Sequence, residues 1–188
     1  MISGDKNYNG VIDDLVNGSW ISPSDNKTYG IPIKNIEIRE TLDGREYELI
    51  ESLHSNQKLL VVSDPFTHKA MGSRIFNNLK TKMNAEEYIW EQPSSSIEGV
   101  QFLRTKLKDY DGMIAVGSGT VSDSIKYATF LEDKVYSVFA TTPMNAYTTG
   151  TASISFDGIK KSLVAHYAQG VFFDLEVLSN CPKRLTAA

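Results

Sequence analysis

Three short apolar runs fix the fold class before any other feature does. Residues 58–63 (Lys-Leu-Leu-Val-Val-Ser), 113–116 (Met-Ile-Ala-Val) and 134–139 (Lys-Val-Tyr-Ser-Val-Phe) read as strands buried on both faces, the pattern of a parallel sheet. The stretches between them carry apolar residues at helical spacing. Phe66, Ala70, Phe76, Leu79 and Met83 predict an amphipathic helix over 66–82. Ile97, Val100, Leu103, Leu107 and Tyr110 predict a helix over 97–108, and Val121, Ile125 and Ala128 one over 120–130. A brief strand is expected at 87–90, and a helix carrying Tyr47, Ile50 and Leu53 starts at Asp43 and stops near Asn56. Ahead of it, Ile31, Ile33, Ile36 and Ile38 alternate with polar residues over 31–39, as in a half-buried edge strand. The slip between Ile33 and Ile36 marks a bulge or a break. The order β-α-β-α-β-α-β-α-β means an α/β fold, a parallel sheet with helices on both faces.

The remaining segments add smaller elements. Residues 151–156 and 159–164, joined by Asp157-Gly158, read as a β-hairpin because Asp-Gly is a preferred two-residue turn. Residues 170–174 form one more strand, followed by a short helix over 175–180. Residues 1–30 are polar, with one short helical turn at 13–16 and Trp20-Ile21 as an anchor; they are taken as an N-terminal extension to a domain over 31–188. The net charge is −4, without a long Lys/Arg run, which gives no support to a nucleic-acid or membrane partner. One cysteine, Cys181, excludes an internal disulfide and suits a reducing compartment. Nothing near Met1 resembles a signal core and no apolar run has membrane-spanning length, so the chain is expected to be cytoplasmic.

Ligands of parallel sheets lie outside the carboxyl ends of the strands, and the chemistry-bearing residues gather there. After the strand 113–116, Gly117 and Gly119 flank Ser118, and a helix begins at Thr120. Strand, small-residue turn and helix aim free N–H groups at a phosphate; the same turn can also be only a tight connection. The six-residue dinucleotide fingerprint is incomplete, since Ser122 holds its third glycine position. Asp64, directly after the strand 58–63, either caps the following helix or accepts a ribose hydroxyl. Residues 140–154 are rich in hydroxyls and read either as a self-satisfied loop or as a contact for phosphate and ribose oxygens. His68 lies off the apolar stripe as a solvated or capping side chain.

Together these motifs resemble the iron-containing alcohol dehydrogenase superfamily, its glycerol-1-phosphate dehydrogenase branch in particular. The resembling stretches start at Val61 (Val-Val-Ser-Asp-Pro-Phe-Thr-His-Lys-Ala-Met-Gly), Val116 (Val-Gly-Ser-Gly-Thr-Val-Ser-Asp-Ser-Ile-Lys) and Met144 (Met-Asn-Ala-Tyr-Thr-Thr). Others start at Asp157 (Asp-Gly-Ile-Lys-Lys), Gly170 (Gly-Val-Phe-Phe-Asp-Leu-Glu-Val-Leu) and Pro182 (Pro-Lys-Arg-Leu-Thr-Ala-Ala). The resemblance implies a Rossmann-like, dehydroquinate-synthase-like domain that binds NAD or NADP. It puts Asp64 at the adenosine ribose and Gly117, Ser118, Gly119, Thr120 and Val121 around the pyrophosphate. Asp123 matches the acidic residue after the family's glycine turn, and Thr141, Thr142 and Thr149 fall on its cofactor contacts. Asn145 stands near the nicotinamide and substrate, where many relatives have aspartate; the amide keeps the hydrogen-bonding shape and loses the proton-accepting role. Ser118 replaces the middle of three glycines, Ala146 a glycine and Pro143 a hydroxyl residue.

In relatives the sequence resembling Arg-Leu-Thr-Ala-Ala runs into a Gly-x-Gly-Asp segment and a helical domain. These supply the ligands of a catalytic divalent metal (zinc, nickel or iron) and the pocket for a polyol phosphate such as dihydroxyacetone phosphate. The sequence stops at Ala188, and His54, His68 and His166 lack the spacing of a metal site. The expectation is therefore a dinucleotide-binding half without its helical metal-binding domain, with no catalytic residue and no turnover of its own. The alternative is a stand-alone nucleotide-binding or interaction module. A third reading is that the surface relatives cover with their second domain drives homo-oligomerisation.

Overall fold

The computed structural model describes residues 8–186. The chain opens with α1 (Tyr8–Val16) and a small antiparallel pair, β1 (Trp20–Ile21) with β2 (Thr28–Tyr29). Within this pair the Trp20 ring lies 6.3 Å from Tyr29, a contact internal to the N-terminal segment, and Ile21, expected to help anchor it, is exposed. Then follow β3 (Asn35–Arg39), α2 (Glu46–His54), β4 (Leu59–Ser63), a continuous helix over 65–79, β5 (Ala85–Ile89), α5 (Ile97–Leu107), β6 (Gly112–Gly117), α6 (Gly119–Leu131) and β7 (Val135–Ala140). A 3₁₀ turn (Asn145–Thr148) leads to the hairpin β8 (Thr151–Phe156) and β9 (Ile159–Val164), then to β10 (Gly170–Asp174), α7 (Leu175–Ser179) and α8 (Lys183–Thr186). The hairpin turn is as expected, with Asp157 at φ 51° and Gly158 at φ 81°.

Six strands form one parallel sheet in the order β3-β10-β7-β6-β4-β5. Alternate side chains of each inner strand feed opposite cores. Leu60, Val62, Met113 and Ala115 pack against Val100, Leu103, Val121 and Ile125 of α5 and α6. Leu59, Val61, Ile114 and Val116 pack against Ile50 of α2 and Met71, Ile75 and Leu79 of the helix over 65–79. This two-sided burial explains the continuous apolar runs. From β4 the chain moves outward to β5 and then back across to β6, so the direction of winding reverses between β4 and β6.

Two local expectations are revised. The first strand starts only at Asn35, because Pro32 lacks a ladder donor and the N–H groups of Lys34 and Asn35 both bond to Gln169 O (2.9 and 3.2 Å). The break between Ile33 and Ile36 is real, and β3 is an edge strand paired only with β10. The helix over 65–79 consists of α3 (Pro65–Thr67), a π-helical turn (His68–Gly72) and α4 (Ser73–Leu79). The wide turn absorbs an extra residue, so the buried side chains Thr67, Met71, Ile75 and Leu79 fall four apart, with Gly72 buried beside Met71, and Phe66 and Ala70 face outward.

The carboxyl edge of the sheet is braced at β10. Asp174, fully buried, accepts Leu42 N (3.0 Å), the α7 N–H of Val177 (3.1 Å) and the Arg74 guanidinium (2.7 Å), while Arg74 also reaches buried Glu46 at 2.7 Å. Burial by itself would raise the Asp174 pKa, but the Leu42 N–H, Arg74 and the Val177 N–H together hold it below the ordinary carboxylate value. Asp174→Asn is expected to lose about 3–5 kcal/mol of unfolding free energy, the range for removing one partner of a buried pair, measured by urea denaturation at pH 7. A depressed folded-state pKa contributes stability that is present above the unfolded value of about 4 and lost as pH falls through the folded one. The difference between wild type and variant should therefore shrink below about pH 4.

Candidate functional site

A cleft of about 930 Å³ opens at the carboxyl edge, where the winding reverses. It is lined by Asp64, Phe66 and Thr67 after β4, Ser118 after β6, Thr141 and Thr142 after β7, and by α7 and the following turn through Val177, Cys181 and Pro182. Its two central walls are tied together by Thr67. The Thr67 hydroxyl accepts Asp64 N (3.0 Å) and donates to Val116 O (2.9 Å) at the end of β6.

Asp64 satisfies its capping role and keeps capacity for another. Its Oδ1 accepts both Phe66 N (2.8 Å) and Thr67 N (2.9 Å), completing a capping box with Thr67, whereas Oδ2 has no partner among the described residues. Beyond β6 the chain passes through Gly117 and Ser118 into α6. Ser118 is extended, and its side chain makes no cap bond. The N–H groups of Gly119, Thr120 and Val121 thus have no acceptor among the described residues, and no acidic side chain sits in the first turn. Glycine at 117 is a packing requirement, since a Cβ there would lie 2.7 Å from Val121 Cβ. At Gly119 a Cβ would meet only the end of the Met144 side chain, Cε at 3.0 Å and Sδ at 3.5 Å.

The glycine turn is held from behind by a residue that the motif reading passed over. Tyr147, wholly buried, donates its hydroxyl to Gly117 O (2.9 Å) and lies 2.9 Å from Thr142 Oγ1. Burial pushes its phenol up to about 12, so it stays a neutral donor at pH 7. Beside it, Thr141 Oγ1 is buried without a hydrogen-bond partner. Of the buried side-chain atoms in that condition among the described residues, it alone belongs to a residue lining the cleft.

Asp123 and Thr149 lie beneath the turn, away from the cleft. Lys126, wholly buried, donates to Ala146 O (2.7 Å) and Thr151 O (2.9 Å), with Thr149 Oγ1 and Asp123 Oδ1 each at 3.5 Å. Asp123 Oδ2 accepts Ser153 N at 3.1 Å. Burial pushes the Asp123 pKa up and the Lys126 pKa down, and their mutual attraction opposes both shifts. Together they fasten the 3₁₀ turn and β8 onto α6. Asn145, at the head of that turn, is exposed and does not line the cleft.

The histidines are engaged one by one. His54 bridges Gln57 Oε1 (2.8 Å) and Ser137 Oγ (2.7 Å), His166 meets Thr129 Oγ1 (2.9 Å), and half-buried His68 sits 3.0 Å from Glu87 Oε1. Among the described residues no three His, Cys, Asp or Glu side chains come together as a metal site. No helix among them is long and apolar enough to cross a membrane.

Comparison with known proteins agrees with the fold. The family model described as iron-containing alcohol dehydrogenase matches residues 37–182. Glycerol-1-phosphate dehydrogenase [NAD(P)+] of Bacillus subtilis is 29% identical over 143 residues, 71% of this chain and 36% of the relative. The Pyrococcus horikoshii protein of the same name is 30% identical, over 74% of this chain and 41% of its own. The chain thus spans about two fifths of the length of these relatives. Among solved structures, NADH-dependent butanol dehydrogenase A of Thermotoga maritima superposes with a TM-score of 0.71 at 18% identity, covering 86% of this chain and 47% of that one. Glycerol dehydrogenase of Schizosaccharomyces pombe gives 0.71 at 19%, covering 81% and 40%.

The glycine geometry separates two substitutions that sequence alone would treat alike. Gly117→Ala should cost about 1–3 kcal/mol through overpacking, and Val121→Ala in the same chain should not recover it, because alanine keeps the Cβ that lies 2.7 Å away. Gly119→Ala should be close to neutral because Met144 can move its end. Thermal and urea unfolding of the three variants read this directly.

Proposed function

Because the chain belongs to the iron-containing alcohol dehydrogenase family, we propose that it is the nucleotide-binding part of an NAD(P)-dependent oxidoreductase acting on a polyol phosphate. The unit is residues 31–188, with 1–30 as an extension. The observation that carries the reading is unused hydrogen-bonding capacity along one sheet edge: Asp64, Ser118 and Thr141 line the cleft, and the first turn of α6 begins directly after Ser118. The N–H groups of Gly119, Thr120 and Val121, the orphaned Thr141 Oγ1 and Asp64 Oδ2 all lie at the carboxyl edge, beside the β4/β6 reversal. In this proposal the α6 N-terminus takes the pyrophosphate, Thr141 and Thr142 offer hydroxyls, and Asp64 Oδ2 accepts from the adenosine ribose. A carboxylate there favours an unphosphorylated ribose, hence NAD over NADP.

The bound nicotinamide supplies the hydride; the residues of this chain bind and orient it. The described residues do not fit a divalent ion, and the proposal assigns them no step through one. Cofactor binding without turnover is what we assign to this span. The partial coverage of relatives named glycerol-1-phosphate dehydrogenase suggests the substrate class. A second reading, a nucleotide-binding module with no catalytic role, is favoured by Asn145, which cannot accept a proton as an aspartate would.

NADH at sub-millimolar concentration should change its fluorescence on adding the chain, and a flat titration would remove both readings. Thr141→Val should weaken NADH several-fold while leaving the unliganded protein equally stable or up to about 1–3 kcal/mol more stable, because it deletes an unsatisfied hydroxyl. Dihydroxyacetone phosphate with NADH and added zinc, nickel or iron should show no oxidation by this chain; measurable turnover would sink the claim of binding alone.

A further inference from the structure

Phe66 is the most exposed of the large apolar side chains among the described residues, at 87%. It is also the one aromatic residue lining the cleft among them. Its exposure is built into the backbone. Phe66 holds the second position of α3, behind Pro65, with its N–H bonded to Asp64 Oδ1 at 2.8 Å inside a closed capping box. The π-helical turn that follows keeps Thr67 and Met71 on the buried face, which leaves Phe66 and Ala70 outward. An aromatic ring is therefore presented to solvent on one of the most constrained turns of the cleft, two residues beyond a carboxylate that has a free oxygen.

We propose that Phe66 is the stacking platform for the purine base of the dinucleotide. The inference rests on the dinucleotide reading above and deepens it. Base and ribose are joined by a single glycosidic bond, and Asp64 and Phe66 are joined by one rigid turn. A ribose hydroxyl held by Asp64 Oδ2 brings the attached base within reach of the Phe66 face. Every base has a π-face, so an aromatic wall binds it without reading its edge and contributes affinity more than selectivity among purines. Ala70, a small outward residue one turn further on, leaves that face open.

The test compares wild type with F66A, F66Y and F66W against NADH, ADP-ribose and nicotinamide mononucleotide. F66A should lose about tenfold in affinity for NADH and for ADP-ribose, and F66Y should retain both. Nicotinamide mononucleotide should bind all variants alike. In F66W, ADP-ribose should quench the new indole saturably. The melting temperature of F66A should match wild type, since an exposed ring is removed. If wild type binds NADH and F66A binds it equally, the platform is wrong and the dinucleotide reading stands. If wild type binds no nucleotide, both fall. Equal loss of nicotinamide mononucleotide would move the ring to the other end of the ligand. Self-association abolished by F66A, seen by sedimentation, would reassign it to a protein contact.

Discussion

The Thr67 hydroxyl holds the structure open where it matters. A doubly wound sheet diverges at the point where its connections leave in opposite directions, here between β4 and β6. Left alone, those carboxyl ends would have no shared hydrogen bonds beyond the last ladder pair, Ser63 with Val116. Thr67 crosses that gap, accepting from Asp64 N and donating to Val116 O. One side chain thus continues the strand pairing into the loops and sets the distance between the carboxylate turn and the glycine turn. Because the same residue is the third helical position of α3, it also completes the cap that orients Asp64. Cap, crevice width and carboxylate orientation are therefore a single mechanical unit.

Under the other wall, the chain accepts an expensive arrangement for rigidity. A buried lysine is costly unless its charge is paired and its donors are used. Lys126 uses them on two backbone carbonyls, Ala146 O and Thr151 O, and has Asp123 as counter-charge. The partners come from the 3₁₀ turn and the start of β8. Tyr147 works in the same direction from within that turn, its ring in the core and its hydroxyl on Gly117 O. The glycine turn is in this way clamped from the far side, so its free N–H groups point to a fixed place without any contact from the cleft.

The parts of this fold that were legible in the sequence are those governed by one dominant effect. Double-sided burial wrote β4, β6 and β7 as apolar runs, and backbone conformation wrote the Asp157-Gly158 turn. The convergence of Asp64, Ser118, Thr141 and Thr142 on one cleft followed from topology and is observed. What was not legible depends on a second effect correcting the first. The π-helical turn changes the apolar period from 3.6 to 4 residues, so Phe66, apolar and in apparent phase, was assigned to the core when it is exposed. β10 inserts between β3 and β7, a long-range pairing that no local pattern encodes. Asp123 pairs with Lys126 three residues on, a buried contact that the i, i+3 spacing signals but the motif reading did not use.

The distribution of satisfied and unsatisfied polar groups then separates scaffold from site. Beneath the turn nearly every polar atom is committed: both Asp123 oxygens, the Lys126 ammonium, the Tyr147 hydroxyl and Gly117 O. On the cleft side capacity is left over, in Asp64 Oδ2, Thr141 Oγ1 and the first N–H groups of α6. A fold under selection for stability alone would have no reason to place a buried hydroxyl without a partner next to a helix end without a cap, because each omission costs free energy and each is mended by a single substitution. A Val at 141 would remove the first cost, and a Ser118 rotamer or an acidic residue in the first turn of α6 would reduce the second. Neither repair is made, while Asp123, Lys126 and Tyr147 beneath are paired. The other buried side-chain atoms without a hydrogen-bond partner among the described residues, such as Ser63 Oγ, lie on residues that do not line the cleft. That difference between the cleft face and the layer beneath it is what the proposed nucleotide reading rests on, beside the family resemblance.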